Sequence, residues 1–151
     1  MFFVWVDSSH ELFVEYIIDR LLSFRSIHPS IHPSIHPSIM GFVKTILKEG
    51  NGVKPQRGQS VTVHCTGYGK NRDLTSKFWS TKDPGQQPFT FNVGRGEVIK
   101  GWDESVIDMS IGEIAKIHCT PDYAYGAGGF PAWGIMPNSE LVFEIEILKY
   151  A

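Results

Sequence analysis

Cysteine and clusters of like charge are scarce in this chain. It has 2 cysteines in 151 residues, too few for a disulfide-rich scaffold and without the spacing of a zinc site. Its 14 basic and 16 acidic residues give a net charge of -2, and no basic cluster stands out. We therefore expect neither nucleic acid nor a membrane as a partner. Hydrophobic residues make up 42% of the chain, which is enough for the core of one domain.

Long uncharged runs are absent from the N-terminus as well. Acidic residues and Arg20 interrupt the apolar residues between Met1 and Ser26, which excludes a membrane span. The short apolar run before Asp7 does not suit a secretory signal, and the acids do not suit a transit peptide. We expect a cytoplasmic protein. An amphipathic helix remains open for this segment, with one face formed by Leu12, Tyr16, Ile17, Leu21 and Phe24.

A low-complexity segment follows, with three identical tandem copies of Ile-His-Pro-Ser that start at Ile27, Ile31 and Ile35. Proline at every fourth residue forbids a helix and favours extended polyproline II. That geometry scatters the imidazoles of the repeats around the chain axis, so a flexible linker is favoured over a metal site.

The composition changes abruptly at Met40, and strand and turn signals dominate after it. We predict an N-terminal extension over residues 1–39 and a domain over residues 40–151. Met40 is also an alternative start of translation, from which the sequence through Thr45 would fit a myristoylation pattern. An ordinary first strand that contains Phe42 and Leu47 is the preferred interpretation.

Several later segments alternate in hydrophobicity as half-buried strands do. Val61, Val63 and Cys65 share one face of the first such segment. Ala115, Ile117 and Cys119 share a face of a second, and Phe143, Ile145 and Ile147 share a face of the last. The spacing predicts an α+β domain in which five or six strands of a twisted antiparallel sheet wrap around one short helix.

The stretch from Gly94 to Trp102 predicts a turn followed by that helix. Gly94 and Gly96 permit a sharp turn, but Ile99 occupies the place of the third glycine of a dinucleotide site. Val98, Ile99, Trp102 and Val106 are spaced as one apolar stripe. Two interpretations stay open from the residues alone: a core helix with a buried tryptophan, or a helix whose indole closes an apolar cleft. A long aromatic loop over residues 120–135 is more than a connection.

With these motifs identified, residues from about Gly41 to Ala151 resemble the FKBP family of peptidyl-prolyl cis-trans isomerases. The resemblance rests on Val98-Ile99-x-Gly101-Trp102, on Pro121 to Gly126 and on Leu141 to Glu144, in this order. Two further segments, Phe78 to Asp83 and Gly128 to Trp133, resemble the small single-domain members found in plants. The resemblance implies isomerisation of X-Pro bonds in peptides and folding proteins by a monomer, with no metal or cofactor.

The family's site residues are carried over to the matching positions. The resemblance implies a proline ring resting on Trp102, donors at the Ile99 N–H and the Tyr125 hydroxyl, and a backbone carbonyl of Glu97 at the rim. The remaining implied wall residues are Phe78, Phe89, Val98, Phe130, Ile135 and Phe143.

Two positions depart from the family pattern. Both are implied to be substrate-binding residues of the pocket wall: Trp79 stands where most members carry an aspartate, and Cys65 stands where they carry a tyrosine. An indole cannot accept a hydrogen bond, so we expect reduced affinity for macrolides such as tacrolimus or rapamycin. Trp79 also favours the rival interpretation, a non-catalytic module that grips a partner's proline loop. The resemblance implies that Cys65 and Cys119 lie on the inward faces of neighbouring strands, where they are either buried free thiols or a reversible disulfide.

Overall fold

The computed structural model describes residues 41–151. The amphipathic helix, the Ile-His-Pro-Ser linker and the alternative start at Met40 all lie outside the described residues. Within residues 41–151, six strands form one antiparallel sheet. They are β1 (Phe42–Lys48), β2 (Ser60–Tyr68), β3 (Lys77–Ser80), β4 (Phe89–Asn92), β5 (Ile114–Cys119) and β6 (Leu141–Tyr150). This confirms the predicted α+β class and the first strand at Phe42.

The sheet has the order β1-β5-β6-β2-β3, and β4 also pairs with β2. β3 pairs with β2 at Thr66 to Tyr68, whereas β4 pairs with the earlier residues Ser60 to Val63. β6 lies in the middle, with β5 on one side and β2 on the other. Both neighbours therefore present their inward faces beside that of β6.

Strict alternation along β2, β5 and β6 produces the core. The inward residues Val61, Val63, Ala115, Ile117 and Ile145 have no exposed surface. Each apolar square ångström removed from water contributes about 25 cal/mol, so this face holds the sheet against the helix. The predicted inward sets on all three strands are confirmed.

The single α-helix within the described residues, α1, runs over Lys100–Val106. It is two turns long, and its apolar residues Trp102 and Val106 are buried against the sheet. Ile99 precedes the helix in an extended conformation, with φ of -56° and ψ of 149°. The predicted apolar stripe is therefore divided, because Val98 and Ile99 belong to the turn before the helix.

Candidate active site

One cavity of about 560 Å³ opens where α1, β4, β6 and the 120–135 loop meet. Aromatic and aliphatic side chains make up most of its wall. The lining residues are Trp79, Phe89, Gly96, Glu97, Val98, Ile99, Trp102, Tyr125, Trp133 and Phe143.

Trp102 and Phe143 form the base of the cavity, since each is only 4% exposed. Their rings meet edge to face, with centroids 5.3 Å apart and planes at 89°. Phe89 approaches Trp102 from β4 at 6.0 Å. Because edge-to-face aromatic pairs are favourable and directional, these contacts fix the orientation of the indole.

The turn between β4 and α1 is fixed by hydrogen bonds to a side chain of the helix. Gly94 and Gly96 have φ of 75° and 71°, which glycine adopts without strain. Their N–H groups donate to the two carboxylate oxygens of Asp103, at 2.7 and 3.0 Å. A charged acceptor shared by two donors makes strong hydrogen bonds, so Asp103 fixes the segment that leads into the cavity wall.

A second carboxylate clamps the same turn onto β4. Glu97 accepts hydrogen bonds from the Asn92 N–H at 2.9 Å and from Asn92 Nδ2 at 2.8 Å. These bonds lower the pKa of Glu97, with a smaller contribution from the charge of Arg95. The side chain of Glu97 therefore has a structural task in addition to the backbone role implied by the resemblance.

The buried indole N–H of Trp102 is one donor at the cavity that has no protein partner within residues 41–151. The Ile99 N–H, which precedes the first turn of α1, and the Tyr125 hydroxyl are two others. Burial raises the pKa of the Tyr125 phenol, so it stays protonated at neutral pH. The Ile99 N–H and the Tyr125 hydroxyl are available as donors to a ligand.

Trp133 lines the cavity and was missed by sequence reasoning. It lies in the short 3-10 helix Pro131–Trp133 of the long loop. Its ring stacks on Trp79, with centroids 5.6 Å apart and planes at 7°. The aromatic richness of the loop indicated a functional role, but a segment without a regular period does not tell which of its side chains turns inward.

Residues 51–148 match the sequence pattern of the family described as "FKBP-type peptidyl-prolyl cis-trans isomerase". The chain belongs to the FKBP family. It is 69% identical over 110 residues to "Peptidyl-prolyl cis-trans isomerase FKBP12" of Vicia faba, and 67% identical over 110 residues to the protein of the same name of Arabidopsis thaliana. Each match covers 73% of this chain and 98% of the relative.

Similarity extends to more distant organisms. "Peptidyl-prolyl cis-trans isomerase Fkbp12" of Drosophila melanogaster is 52% identical over 95 residues, which are 63% of this chain and 83% of the relative. The predicted family and its activity are confirmed: this FKBP is a peptidyl-prolyl cis-trans isomerase.

The FKBP cavity gathers most, though not all, of the side chains implied by the resemblance. Trp79, Phe89, Glu97, Val98, Ile99, Trp102, Tyr125 and Phe143 line it. Phe78 is not among the lining residues and stacks on Trp133 at 5.8 Å. Phe130 is also not among them and packs against Tyr125 and Trp133, at 5.3 and 4.9 Å.

Cys65 and Ile135 were expected in the cavity wall, and the structure places both in the core. Cys65 is 1% exposed on the inward face of β2, where its N–H donates to Thr81 Oγ1. Ile135 is 2% exposed. The smaller cysteine does not extend to the cavity as a tyrosine would, and the neighbouring Trp133 occupies the wall instead of Ile135.

The expectation that Cys65 and Cys119 lie on neighbouring strands is wrong, because β6 separates β2 from β5. Cys65 pairs with Ile145 and Cys119 with Leu141, so the thiols lie two strands apart and offset along β6. Two strand spacings alone amount to roughly 10 Å, beyond the about 7 Å that a disulfide tolerates between Cα atoms. Both cysteines are free and buried.

The described part of this FKBP supplies no set of three His, Cys, Asp or Glu side chains suited to a metal ion. Among residues 41–151, no helix has the length and apolar character needed to cross a membrane. The cavity wall carries one carboxylate, that of Glu97, and no histidine, cysteine or serine. Its chemistry is that of an apolar surface with a few neutral donors.

Proposed function

We propose that the cavity over Trp102 is the place where X-Pro bonds of peptides and folding proteins isomerise. The observation that carries the proposal is the base of the cavity, where two interlocked aromatic rings face an open space of about 560 Å³. A proline ring is apolar and compact, and it fits such a surface.

The reaction requires no covalent chemistry. Resonance keeps the X-Pro bond planar, and the barrier to rotation is about 18–20 kcal/mol. Resonance also separates charge, so an apolar site solvates the planar amide poorly and disfavours it relative to the twisted form. Binding the twisted form better than the planar one lowers the barrier.

Ile99 and Tyr125 supply the polar part of the proposal. The Ile99 N–H and the Tyr125 hydroxyl donate to carbonyl oxygens on either side of the bond that rotates. Their donors fix the substrate backbone while Trp102, Phe89 and Phe143 hold the ring. The turn held by Asp103 and Glu97 keeps the Ile99 N–H in place.

The test is a protease-coupled assay on a proline tetrapeptide with the full chain and its Trp102→Leu variant. We expect kcat/KM of the variant to fall at least about tenfold, since leucine fills the core but presents no flat ring to proline. The matched control is Lys116→Gln on the exposed face of β5, which should keep full activity. Equal kcat/KM for the chain and Trp102→Leu, with both folded, would place the reaction elsewhere.

Macrolide binding is proposed as present but weak. Two similar proteins, from Gibberella zeae and Dictyostelium discoideum, are named "FK506-binding protein 1", and each is 46% identical to this chain. In this chain Trp79 occupies the usual aspartate position, and its indole N–H donates to Gln86 Oε1 at 3.4 Å.

Trp79→Asp should therefore bind tacrolimus more tightly than the natural chain, by about threefold or more, because it restores a hydrogen-bond acceptor. Isothermal titration of the two proteins measures the difference. Trp79→Leu is the matched control, since it removes the indole without adding an acceptor, and equal tightening by both variants would contradict the role of the acceptor.

The remaining assignments concern the protein as a whole. We propose residues 40–151 as the isomerase domain and residues 1–39 as an extension outside it. We also propose a cytoplasmic monomer without nucleic acid or membrane partners. A fluorescent fusion spread evenly through the cytoplasm, and a monomer mass by light scattering, are the expected results; organelle capture or a dimer mass would refute them.

A further inference from the structure

Two arginines from separate turns lie together outside the isomerase cavity. Arg57 precedes β2, and Arg95 lies in the turn between β4 and α1. With Gly58 they line an open depression of about 480 Å³. Both arginine side chains are exposed.

The two turns are joined so that each arginine lies over a glycine of the other turn. Arg57 Nε donates to the Gly94 carbonyl oxygen at 2.9 Å, and the Gly58 N–H donates to the Val93 carbonyl oxygen at 2.7 Å. A Cβ on Gly94 would lie 2.6 Å from Arg57 Cγ, and one on Gly58 would lie 3.1 Å from Arg95 Nε. The absence of a side chain at Gly94 therefore makes room for the stem of Arg57, and Gly58 lies in close contact with Arg95.

Neither arginine forms an ion pair with a carboxylate in the part of the chain that the structure describes. The ion pairs there involve lysines and His118. Arg95 contributes to the lowered pKa of Glu97, yet that carboxylate already accepts two hydrogen bonds from Asn92. Two adjacent like charges repel each other, and an anion between them removes the repulsion.

We infer that Arg57 and Arg95 form a subsite that binds a phosphate group carried by a proline-containing substrate peptide. The inference rests on the proposed function of the cavity. The planar fork of arginine matches phosphate oxygens, and a phosphate charge near -2 suits two guanidinium groups better than a single carboxylate does. Gly96 and Glu97, which follow Arg95 directly, line the isomerase cavity. One extended peptide can therefore span both sites.

The experiment compares proline peptides that carry phosphoserine with the same peptides that carry serine. The phosphoserine is placed about two to five residues before or after the proline, since each residue spans about 3.3 Å. At one of these positions we expect kcat/KM about threefold to fivefold above that of the serine peptide at low ionic strength, with a smaller gain at high salt. Serine peptides report the isomerase activity itself.

Arg95→Gln should abolish the gain and leave turnover of the serine peptides unchanged. Lys116→Gln, which also removes one exposed positive charge, should keep the gain. Arg57→Lys retains the positive charge but loses the planar guanidinium fork, so this variant should keep only part of the gain for phosphoserine peptides.

Equal turnover of phosphoserine and serine peptides at every position would overturn the inference, and so would a gain that survives in Arg95→Gln. Phosphorus NMR of inorganic phosphate separates the two sources of the anion. A resonance shift that Arg95→Gln removes, without a gain for any phosphopeptide, would show a site for the free ion and also overturn the inference. Failure to turn over the serine peptides would instead contradict the proposed function.

Discussion

At the scale of the residue, the cavity contains two kinds of group: side chains that shape the space, and donors that can form hydrogen bonds with a substrate. Trp79 and Trp133 stack face to face and form one wall, whereas Trp102 and Phe143 form the base. Aromatic pairs of this kind contribute about 0.5–1.5 kcal/mol beyond their buried area. The wall is therefore stable before any ligand binds.

A substitution at Tyr125 can test substrate binding with little effect on protein stability. In Tyr125→Phe the ring is kept and only the hydroxyl is lost, and that hydroxyl has no partner within residues 41–151. We expect kcat/KM in the proline tetrapeptide assay to fall about threefold to tenfold, since one donor to the substrate is removed. The free energy of unfolding in urea should change by less than about 0.5 kcal/mol. A large loss of stability with unchanged kcat/KM would contradict the assignment of the Tyr125 hydroxyl to substrate binding.

The residue scale also marks a limit of sequence reasoning. Alternation predicts that Phe78 and Trp79 face opposite sides of β3, but not which of them meets the cavity. The family pattern favoured Phe78 as well, yet Phe78 stacks on Trp133 and is not among the lining residues. In the 120–135 loop no period exists, and Trp133 lines the cavity where Ile135 was expected.

At the scale of the element, α1 depends on the turn before it. Ile99, its N-cap, makes no side-chain capping bond, and the helix is only seven residues long. Asp103 stabilises the junction instead, because it binds the N–H groups of Gly94 and Gly96. The aspartate thus links the helix to the cavity wall that precedes it.

Asp103→Ala should lower the free energy of unfolding by about 1–3 kcal/mol, because two N–H groups lose a charged acceptor. It should also lower kcat/KM, since the Ile99 N–H is no longer held. Urea unfolding and the tetrapeptide assay measure the two effects. Asp103→Asn keeps one acceptor oxygen, so its free energy of unfolding and its kcat/KM should lie between those of the natural chain and of Asp103→Ala. Identical losses for the two variants would argue against the role of Asp103 as an acceptor for both N–H groups.

The elements themselves were the most predictable part of the molecule, and their order in the sheet was not. A period of two residues identifies β2, β5 and β6 and their inward faces because burial on one side of a sheet imposes it. Which strands pair depends on contacts far apart in the chain. The sequence carries no local sign that β6 separates β2 from β5, so nothing in the residues corrected the expectation, taken from the family resemblance, that Cys65 and Cys119 lie on neighbouring strands.

At the scale of the whole molecule, the two thiols couple folding to alkaline pH. Burial raises the pKa of Cys65 and of Cys119 to about 12, from 9.0. The folded state therefore holds these protons more tightly than the unfolded state. This contribution to stability is complete below about pH 9 and is lost as pH rises from 9 towards 12.

Between pH 8 and pH 10, wild type should lose more free energy of unfolding than Cys65→Ala/Cys119→Ala, by roughly 1 kcal/mol per thiol. Urea unfolding of the two proteins at pH 8 and at pH 10 measures this difference in free energy. Tyr125 and Tyr150, whose pKa values are also raised by burial, remain in both proteins and cancel in the comparison. Equal losses in the two proteins would show that the thiols titrate normally.

The N-terminal boundary is the last property of the whole molecule to test. β1 begins at Phe42, and just before it the Gly41 N–H donates to Thr120 Oγ1 at 3.0 Å. Within residues 41–151 the sheet therefore begins at Phe42, and the family match covers residues 51–148. A chain that starts at Met40 should keep the melting temperature within about 2 °C and kcat/KM within about twofold of the full chain. A larger loss of either would place part of residues 1–39 inside the folded domain.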